Sequence, residues 1–218
     1  MGFKKLRDSI RKKIRNVIGR FFKKDKDLKL GIYGPPNAGK TTLANRICMD
    51  FVGEEMGAVS PIAHETRKVM IKENVTIKSK NGRELTINLV DTPGIATKID
   101  FEDFVKKGLK IADAKQRAKE ATQGVIEAIS WLDKMDMVMA IMDSTKNPYT
   151  QVNITILGNL EARNIPILLV ANKCDVKNAE PERIKKLFPQ YELIPISAKT
   201  GKNIEDLYEK IFQMVDKR

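Results

Sequence analysis

The 218 residues carry 40 Lys and Arg against 28 Asp and Glu, a formal charge of +12, and 42 % of them are apolar. That length holds one α/β domain with a sizeable core and leaves little room for a second, and no apolar run approaches the roughly 20 residues of a membrane-spanning helix. Two cysteines, Cys48 and Cys174, lack metal-type spacing; with no signal peptide they point to a reducing, cytoplasmic setting.

The charge is uneven. Residues 1–29 hold twelve Lys and Arg against three Asp, a balance of +9, which leaves +3 for the other 189 residues. Within residues 1–26, Phe3, Leu6, Ile10, Ile14, Val17, Ile18 and Phe21 recur at helical spacing under a basic surface, predicting an amphipathic helix. Such a helix suits an anionic membrane surface, and Arg7 near the middle of the stripe fits a snorkelling interfacial helix. Docking on the own domain or on a partner protein, and contact with ribosomal RNA, satisfy the same composition. The chain thus divides into a basic arm, 1–26, and a globular domain, 27–218.

Leu28 to Tyr33 reads as a strand. Gly34-Pro35-Pro36-Asn37-Ala38-Gly39-Lys40-Thr41 follows it and matches the phosphate-binding pattern G-x-x-x-x-G-K-[ST]. Glycines let backbone N–H groups turn inward onto phosphate oxygens, an ammonium reaches the terminal phosphates, and a hydroxyl ligates Mg²⁺. Thr42, Leu43 and Ile47 continue into a helix whose N-terminus faces the anion. Gly53 to Glu65 and Ile95 to about Asp103 lack periodicity and read as the two mobile switches. His64, the sole histidine, reads as packed or solvated rather than catalytic.

Thr66 to Lys78 is rich in β-branched residues, and Asn81-Gly82 predicts a two-residue hairpin into the strand Leu85 to Val90. Asp91-Thr92-Pro93-Gly94 closes that strand. One helix is predicted from about Phe104 to Asp133, with Ala118, Ala121, Val125, Ile129 and Leu132 on its apolar face and Trp131 as core or edge packing. Met135 to Asp143 reads as a buried strand, Thr150 to Arg163 as a helix, Tyr191 to Ile196 as the last strand and Ile204 to Val215 as the closing helix.

The run Ile167 to Ala171 leads into Asn172-Lys173-Cys174-Asp175. A carboxylate at Asp175 can accept hydrogen bonds from N1–H and the N2 amine of guanine; adenine offers neither donor and would leave it unpaired. Ser197-Ala198-Lys199 follows the last strand. All four motifs sit at carboxyl ends of predicted strands, where an open α/β sheet presents ligands.

This ordered set resembles the translation-factor-related GTPases, and within them the Era and TrmE branch. The likeness covers about residues 28–217 and rests on Pro36-Asn37 ahead of Ala38-Gly39-Lys40-Thr41, Glu65-Thr66-Arg67 and the Asp-Thr-Pro-Gly motif. It implies a P-loop G domain with a mostly parallel six-stranded sheet and helices on both faces. By the same resemblance Lys40 contacts the β and γ phosphates, Thr41 and Thr66 ligate Mg²⁺, Asp91 holds it through water, and the Gly94 N–H meets the γ phosphate. Asn172 and Asp175 fix guanine, Lys173 lies along its face, and Ala198, flanked by Ser197 and Lys199, offers an N–H to O6.

Ile95 departs from the Ras-type pattern, which places a water-orienting glutamine there. An isoleucine cannot hydrogen-bond water, so turnover is expected to be slow, with Lys40 and Mg²⁺ supplying most of the acceleration. Some relatives use K⁺ held by an asparagine at the place of Asn37; tolerance of a tight backbone accounts for that residue equally. Era carries an RNA-binding KH domain after its G domain, whereas only a few residues follow the last predicted helix here, so the likeness does not carry Era's ribosomal-RNA role across. The expected activity is a slow GTP-hydrolysing switch cycling between GTP and GDP, with a ribosome-associated assembly GTPase and a non-hydrolysing GTP-binding module as alternatives. Expected partners are a guanine nucleotide, an anionic membrane surface or ribosomal RNA through residues 1–26, an effector protein and, in a nucleotide-dependent dimer, a second copy. The expected location is cytoplasmic or peripheral at the inner membrane face.

Overall fold

The computed structural model describes residues 28–57, 68–96 and 99–217. The basic arm, 1–26, and His64, Glu65, Thr66 and Arg67 lie outside them, so the expectations placed on those residues are not addressed.

Strand β1, Leu28–Tyr33, sits between β3, Glu84–Asp91, and β4, Met137–Asp143; β5, Ile167–Asn172, and β6, Glu192–Pro195, continue one side, and β2, Met70–Lys78, forms the other edge. Every pairing is parallel except β2 with β3, as the sequence predicts. β4 and β5 are buried along their whole lengths, which is why they read as continuous apolar runs: helices cover both faces of a parallel sheet.

Alternate strand residues feed two cores. Leu30, Ile32, Leu168 and Val170 pack with Leu43, Ala44 and Ile47 of α1, Lys40–Phe51, and with Leu207, Ile211 and Phe212 of the closing helix, Ile204–Asp216. Tyr33, Leu169 and Ala171 point the other way. They meet Ala128, then Ile156, Leu157 and Leu160 of the helix Gln151–Glu161, and Ile184 of the helix Pro181–Leu187.

Three local expectations are corrected. The long helix is two: α2, Phe101–Val105, and α3, Ile111–Ser130. Asp100 starts α2 by accepting the Glu102 N–H at 3.1 Å. Gly108, at φ 94°, ends it, with the Leu109 N–H returning to the Phe104 carbonyl at 3.2 Å, the left-handed stop that glycine tolerates. This helix also occupies a stretch expected to be irregular.

The buried face of α3 is the small-residue row Ala114, Ala121, Gly124 and Ala128, joined by Arg117, while Val125 and Ile129 are only half-buried. Of the predicted face, Ala121 and Leu132 are buried, and Val125 and Ile129 pack against the second core. Phe104, Ala114 and Ala121 form a separate small core.

The hairpin loop has three residues, not two. The Ser79 N–H bonds the Arg83 carbonyl at 2.9 Å and the Gly82 N–H bonds the Ser79 carbonyl at 3.0 Å, enclosing Lys80-Asn81-Gly82, with Gly82 at φ 72°. The helix Pro181–Leu187, opened by proline at its first turn, adds an element the sequence patterns did not single out. Trp131 packs half-buried against the second core under the Lys134 ammonium, 4.1 Å from the ring centroid, as edge packing predicts. No helix among the described residues is long and apolar enough to cross a membrane.

Candidate functional site

From β1 the chain crosses to β3 on one side and β4 on the other, so a crevice opens past the carboxyl ends of β3, β1, β4, β5 and β6. The loop 34–41 lines its floor and cannot accept larger residues at two points. A Cβ on Gly34 would sit 2.4 Å from the Ile141 carbonyl, and one on Gly39, at φ 94°, would sit 2.2 Å from Asn172 Nδ2. Asn37 also takes a left-handed backbone, φ 62°.

Lys40 and Thr41 open α1. The Lys40 ammonium is 6 % exposed and donates to the Pro35 carbonyl at 3.1 Å. Burial pulls its pKa down to about 8, against the attraction of Asp91. Thr41 Oγ1 donates to Asp91 Oδ2 at 2.6 Å. Burial pushes Asp91 above the usual carboxylate range, against the Thr41 hydrogen bond and Lys40.

Asp91 Oδ1 is buried and accepts no hydrogen bond. An orphaned carboxylate oxygen beside a hydroxyl and a phosphate-type loop is the hard-oxygen donor set that Mg²⁺ takes. Among the described residues no cluster of three or more His, Cys, Asp or Glu competes as a metal site. Thr42 is half-buried on α1.

Gly94 presses on the loop from the β3 side: a Cβ there would lie 2.8 Å from Pro36 Cα. The next residue, Ile95, donates its N–H to the Gly34 carbonyl at 3.2 Å and buries its side chain to 5 % exposure in the second core. It shares a small apolar cleft with Tyr33, Ile129, Leu132 and Ile156. The Tyr33 hydroxyl closes that region by donating to the Ala128 carbonyl at 3.0 Å, and burial raises its pKa.

On the β5 side, Asn172 uses both ends of its amide within the protein. Nδ2 donates to the Ala38 carbonyl at 2.8 Å, and Oδ1 accepts the Ala198 N–H at 3.0 Å. The residue expected to touch guanine therefore clasps the phosphate loop to the 197–199 loop, and the Ala198 N–H expected at O6 points to Asn172. Lys173, at φ 66°, extends its ammonium to the Asn37 carbonyl at 2.9 Å and to Asp143 Oδ2 at 2.6 Å. Asp143 is buried, and its bonds from Lys173 and Thr145 outweigh that burial to hold its carboxyl below the usual range. Asp175 is exposed at the rim; hydrogen bonding from Ser197, with the positive charges of Lys199 and Lys202, keeps its carboxyl low.

Three side chains that the motifs did not flag complete the crevice. Asp143 ends β4 and so sits where the strand-end rule would have pointed. Asn45, buried on α1, accepts the Met56 and Gly57 N–H groups, both at 2.9 Å, and donates to the Gly57 carbonyl at 2.6 Å, fixing the chain there against the helix. Arg46, beside it, reaches carbonyls 152 and 153 residues away, a link no local pattern reveals.

A family profile described as 50S ribosome-binding GTPase matches residues 29–173. GTPase Era of Rickettsia akari is 35 % identical over 184 residues, 83 % of this chain and 53 % of that protein. Era of Rickettsia canadensis is 34 % identical over 190 residues, 85 % and 55 %. The chain thus spans about half the length of these curated relatives. Among solved structures, a variant of Aquifex aeolicus Era bound to GDP and AlF₄⁻ superposes with a TM-score of 0.66 at 26 % identity, covering 87 % of this chain and 57 % of that one. Era with MgGDPNP and a 16S ribosomal RNA segment gives 0.65 at 25 %, with the same coverage.

Proposed function

The chain belongs to the 50S ribosome-binding GTPase family, and on that premise we propose that it binds GTP and hydrolyses it slowly to GDP and phosphate, as a switch between two nucleotide states. The observation that carries this reading is the Asn172 clasp, which joins the phosphate-type loop through Ala38 to the base-reading loop through Ala198. One polar side chain thereby sets the spacing between a polyphosphate grip and a purine edge reader.

Within that reading the loop N–H groups and Lys40 bind the β and γ phosphates; the ammonium, which donates to the Pro35 carbonyl without ligand, turns to an anion whose charge offsets the cost of its burial. Thr41 would ligate Mg²⁺ and Asp91 would hold it through a water, with Thr66 added from the switch, and the ion would supply charge neutralisation at the phosphate oxygens. Water attacks the γ phosphorus, the bond to the β–γ bridging oxygen breaks, and GDP leaves with that electron pair. Gly94 offers its N–H to the γ phosphate. Asp175 reads N1–H and the N2 amine, Lys173 lines the base, and Ser197 and Lys199 hold the Asp175 carboxylate ionised. Ile95, buried, orients no water. The left-handed backbone at Asn37 accounts for an asparagine there without an ion; faster single turnover in K⁺ than in Na⁺ would add one.

Calorimetry on the Mg²⁺-loaded chain tests the binding: GTP binds, ATP binds at least about 100-fold more weakly, and Asp175→Asn narrows that gap. Equal affinity for ATP overturns the reading. Single-turnover phosphate release tests hydrolysis, and no release in either salt leaves only a binding module.

Residues 1–26 form a basic tether to an anionic surface, and 27–218 the G domain. The charge balance of +9 in residues 1–29 supports the tether. A second reading, an RNA-associated assembly factor, is favoured by the family's ribosome-binding description and by the neighbour solved with 16S ribosomal RNA. Sedimentation with phosphatidylserine vesicles, full chain against a chain starting at Asp27, separates them: loss of pelleting on truncation supports the membrane, and arm-dependent binding of ribosomal RNA with no pelleting supports the RNA.

A further inference from the structure

Helix α1 begins at the phosphate grip with Lys40 and Thr41, and less than two turns later it touches the opposite side of the crevice. Arg46, half-buried, donates from Nη2 to the Lys199 carbonyl at 3.1 Å and from Nε to the Ala198 carbonyl at 3.4 Å. Among the described residues it makes no ion pair, so the guanidinium is committed to these two peptide groups. Two adjacent carbonyls suit a planar fork with two parallel donors; an ammonium cannot span them in one geometry. Within the loop, the Ser197 N–H bonds the Lys202 carbonyl at 3.0 Å, the Gly201 N–H the Ser197 carbonyl at 2.9 Å and the Thr200 N–H Ser197 Oγ at 3.1 Å.

Those internal bonds fix the shape of the loop and not its place. At Ala198 its place is set from two sides, by Asn172 on the amide and by Arg46 on the carbonyl, beside the hydrogen bond of Ser197 to Asp175. Holding both ends of one residue in register sets the plane of the loop's edge against the base site. A covalent and hydrogen-bonded ring results: Ala38, Asn172, Ala198, Arg46, then α1 back to Lys40 and the phosphate loop.

We propose that Arg46 is a positioning residue for base recognition, locking the 197–199 loop to the helix that carries the phosphate grip so that guanine and polyphosphate are read at one fixed separation. This deepens the GTP-binding reading and rests on it. Arg46 touches neither ligand part directly; it acts through the loop. Removing it therefore frees the base reader while leaving Lys40, Thr41 and Asp91 in place.

The test uses the full chain with Arg46→Ala and Arg46→Lys, titrated with GDP, a non-hydrolysable GTP analogue and inorganic pyrophosphate, in Mg²⁺. Arg46→Ala is expected to weaken GDP and the GTP analogue by the same factor, about tenfold, the worth of one charge-assisted hydrogen bond, while pyrophosphate affinity stays unchanged. Arg46→Lys, which keeps the charge and helix propensity but engages one carbonyl at a time, should fall between. A merely structural brace would instead weaken pyrophosphate in parallel with GDP, and that outcome overturns the proposal, as does a GDP affinity untouched by Arg46→Ala. If the unaltered chain binds pyrophosphate and not GDP, or neither, the nucleotide reading itself fails and this one with it. A normal wild type beside a silent Arg46→Ala sinks only the role of Arg46.

Discussion

The two walls of the crevice are built by different physics. On the β5–β6 side the loops are fixed by directional bonds from side-chain amides or cations to peptide groups and one carboxylate: Asn172 on Ala38 and Ala198, Arg46 on Ala198 and Lys199, Lys173 on the Asn37 carbonyl and the Asp143 carboxylate. On the β3 side the segment after Asp91 has two directional bonds, Thr92 Oγ1–H to the Ile32 carbonyl at 2.7 Å and Ile95 N–H to the Gly34 carbonyl at 3.2 Å, and otherwise rests on shape: Gly94 lies against Pro36, the Ile95 side chain sits in an apolar cleft, and α2 with the start of α3 rests on its own small core of Phe104, Ala114 and Ala121. A hydrogen bond has one good geometry, whereas an apolar contact tolerates sliding at small cost. On the proposed reading, the wall that faces the base is the one with more directional bonds, and the wall that faces the γ phosphate rests more on packing, which leaves it freer to shift.

The largest expected effect probes the rigid wall. Asn172→Ala strands the Ala38 carbonyl and the Ala198 N–H, both buried, at about 1–3 kcal/mol each. GDP affinity should fall about a hundredfold by calorimetry, on the conversion of about 1.4 kcal/mol per decade. A drop under threefold would mean the wall does not depend on its bonds. Ile95→Gln probes the other wall: an amide placed in an apolar cleft without a partner costs about 1–3 kcal/mol. Denaturant unfolding should show that loss, while GDP affinity stays within about twofold because the site is remote from the base loop. Faster hydrolysis in this variant would refute the conclusion that the buried position cannot serve water.

The rigid wall and the sheet were also the more legible parts in the sequence. The apolar runs of β4 and β5 and the motifs at their ends declared themselves because parallel strands and strand-end loops have fixed spacing. Three things escaped, two because they join residues distant in the chain and one because a single backbone angle decides it. Arg46 and the 197–199 loop lie some 150 residues apart, so their contact has no local signature. Asn172 carries a motif identity that names its place; its two bonds, to a loop 134 residues earlier and a loop 26 residues later, depend on the fold. The α2–α3 break was missed because helix periodicity continues across Lys106-Lys107-Gly108, and only the left-handed φ of Gly108 stops it.

Lys40 lies between the walls and gives a pH test with a definite sign. Its pKa falls from an ordinary 10.5 to about 8 on folding because burial disfavours the ammonium. Between those values the unfolded chain binds more protons than the native one, so the ligand-free protein gains stability as pH rises from 8 toward 10.5. The slope due to this lysine cannot exceed about 1.4 kcal/mol per pH unit. Urea unfolding at pH 8 and pH 10 should show the gain, and Lys40→Met, which buries no charge, should lack it. Equal pH responses in the two proteins would show that the ammonium is better solvated than its position implies, and that the floor of the crevice is open rather than dry.

The smallest expected effect is a control placed away from both walls. Arg83, just after the hairpin loop, makes a paired contact with Asp216 at the end of the closing helix, 2.8 Å for each bond, and its guanidinium lies 5.3 Å from the Phe212 ring centroid. Both charges are about half exposed, so solvent and salt screen the attraction and the ordering of two long side chains offsets much of what remains. Asp216→Asn should move the melting temperature by less than about 2 °C and leave GDP and GTP affinities alike unchanged. Were this remote pair to alter GDP binding as Asn172→Ala does, the rigidity of the base-reading wall would have to be a property of the whole sheet, and the contrast between a bonded wall and a packed one would lose its local cause.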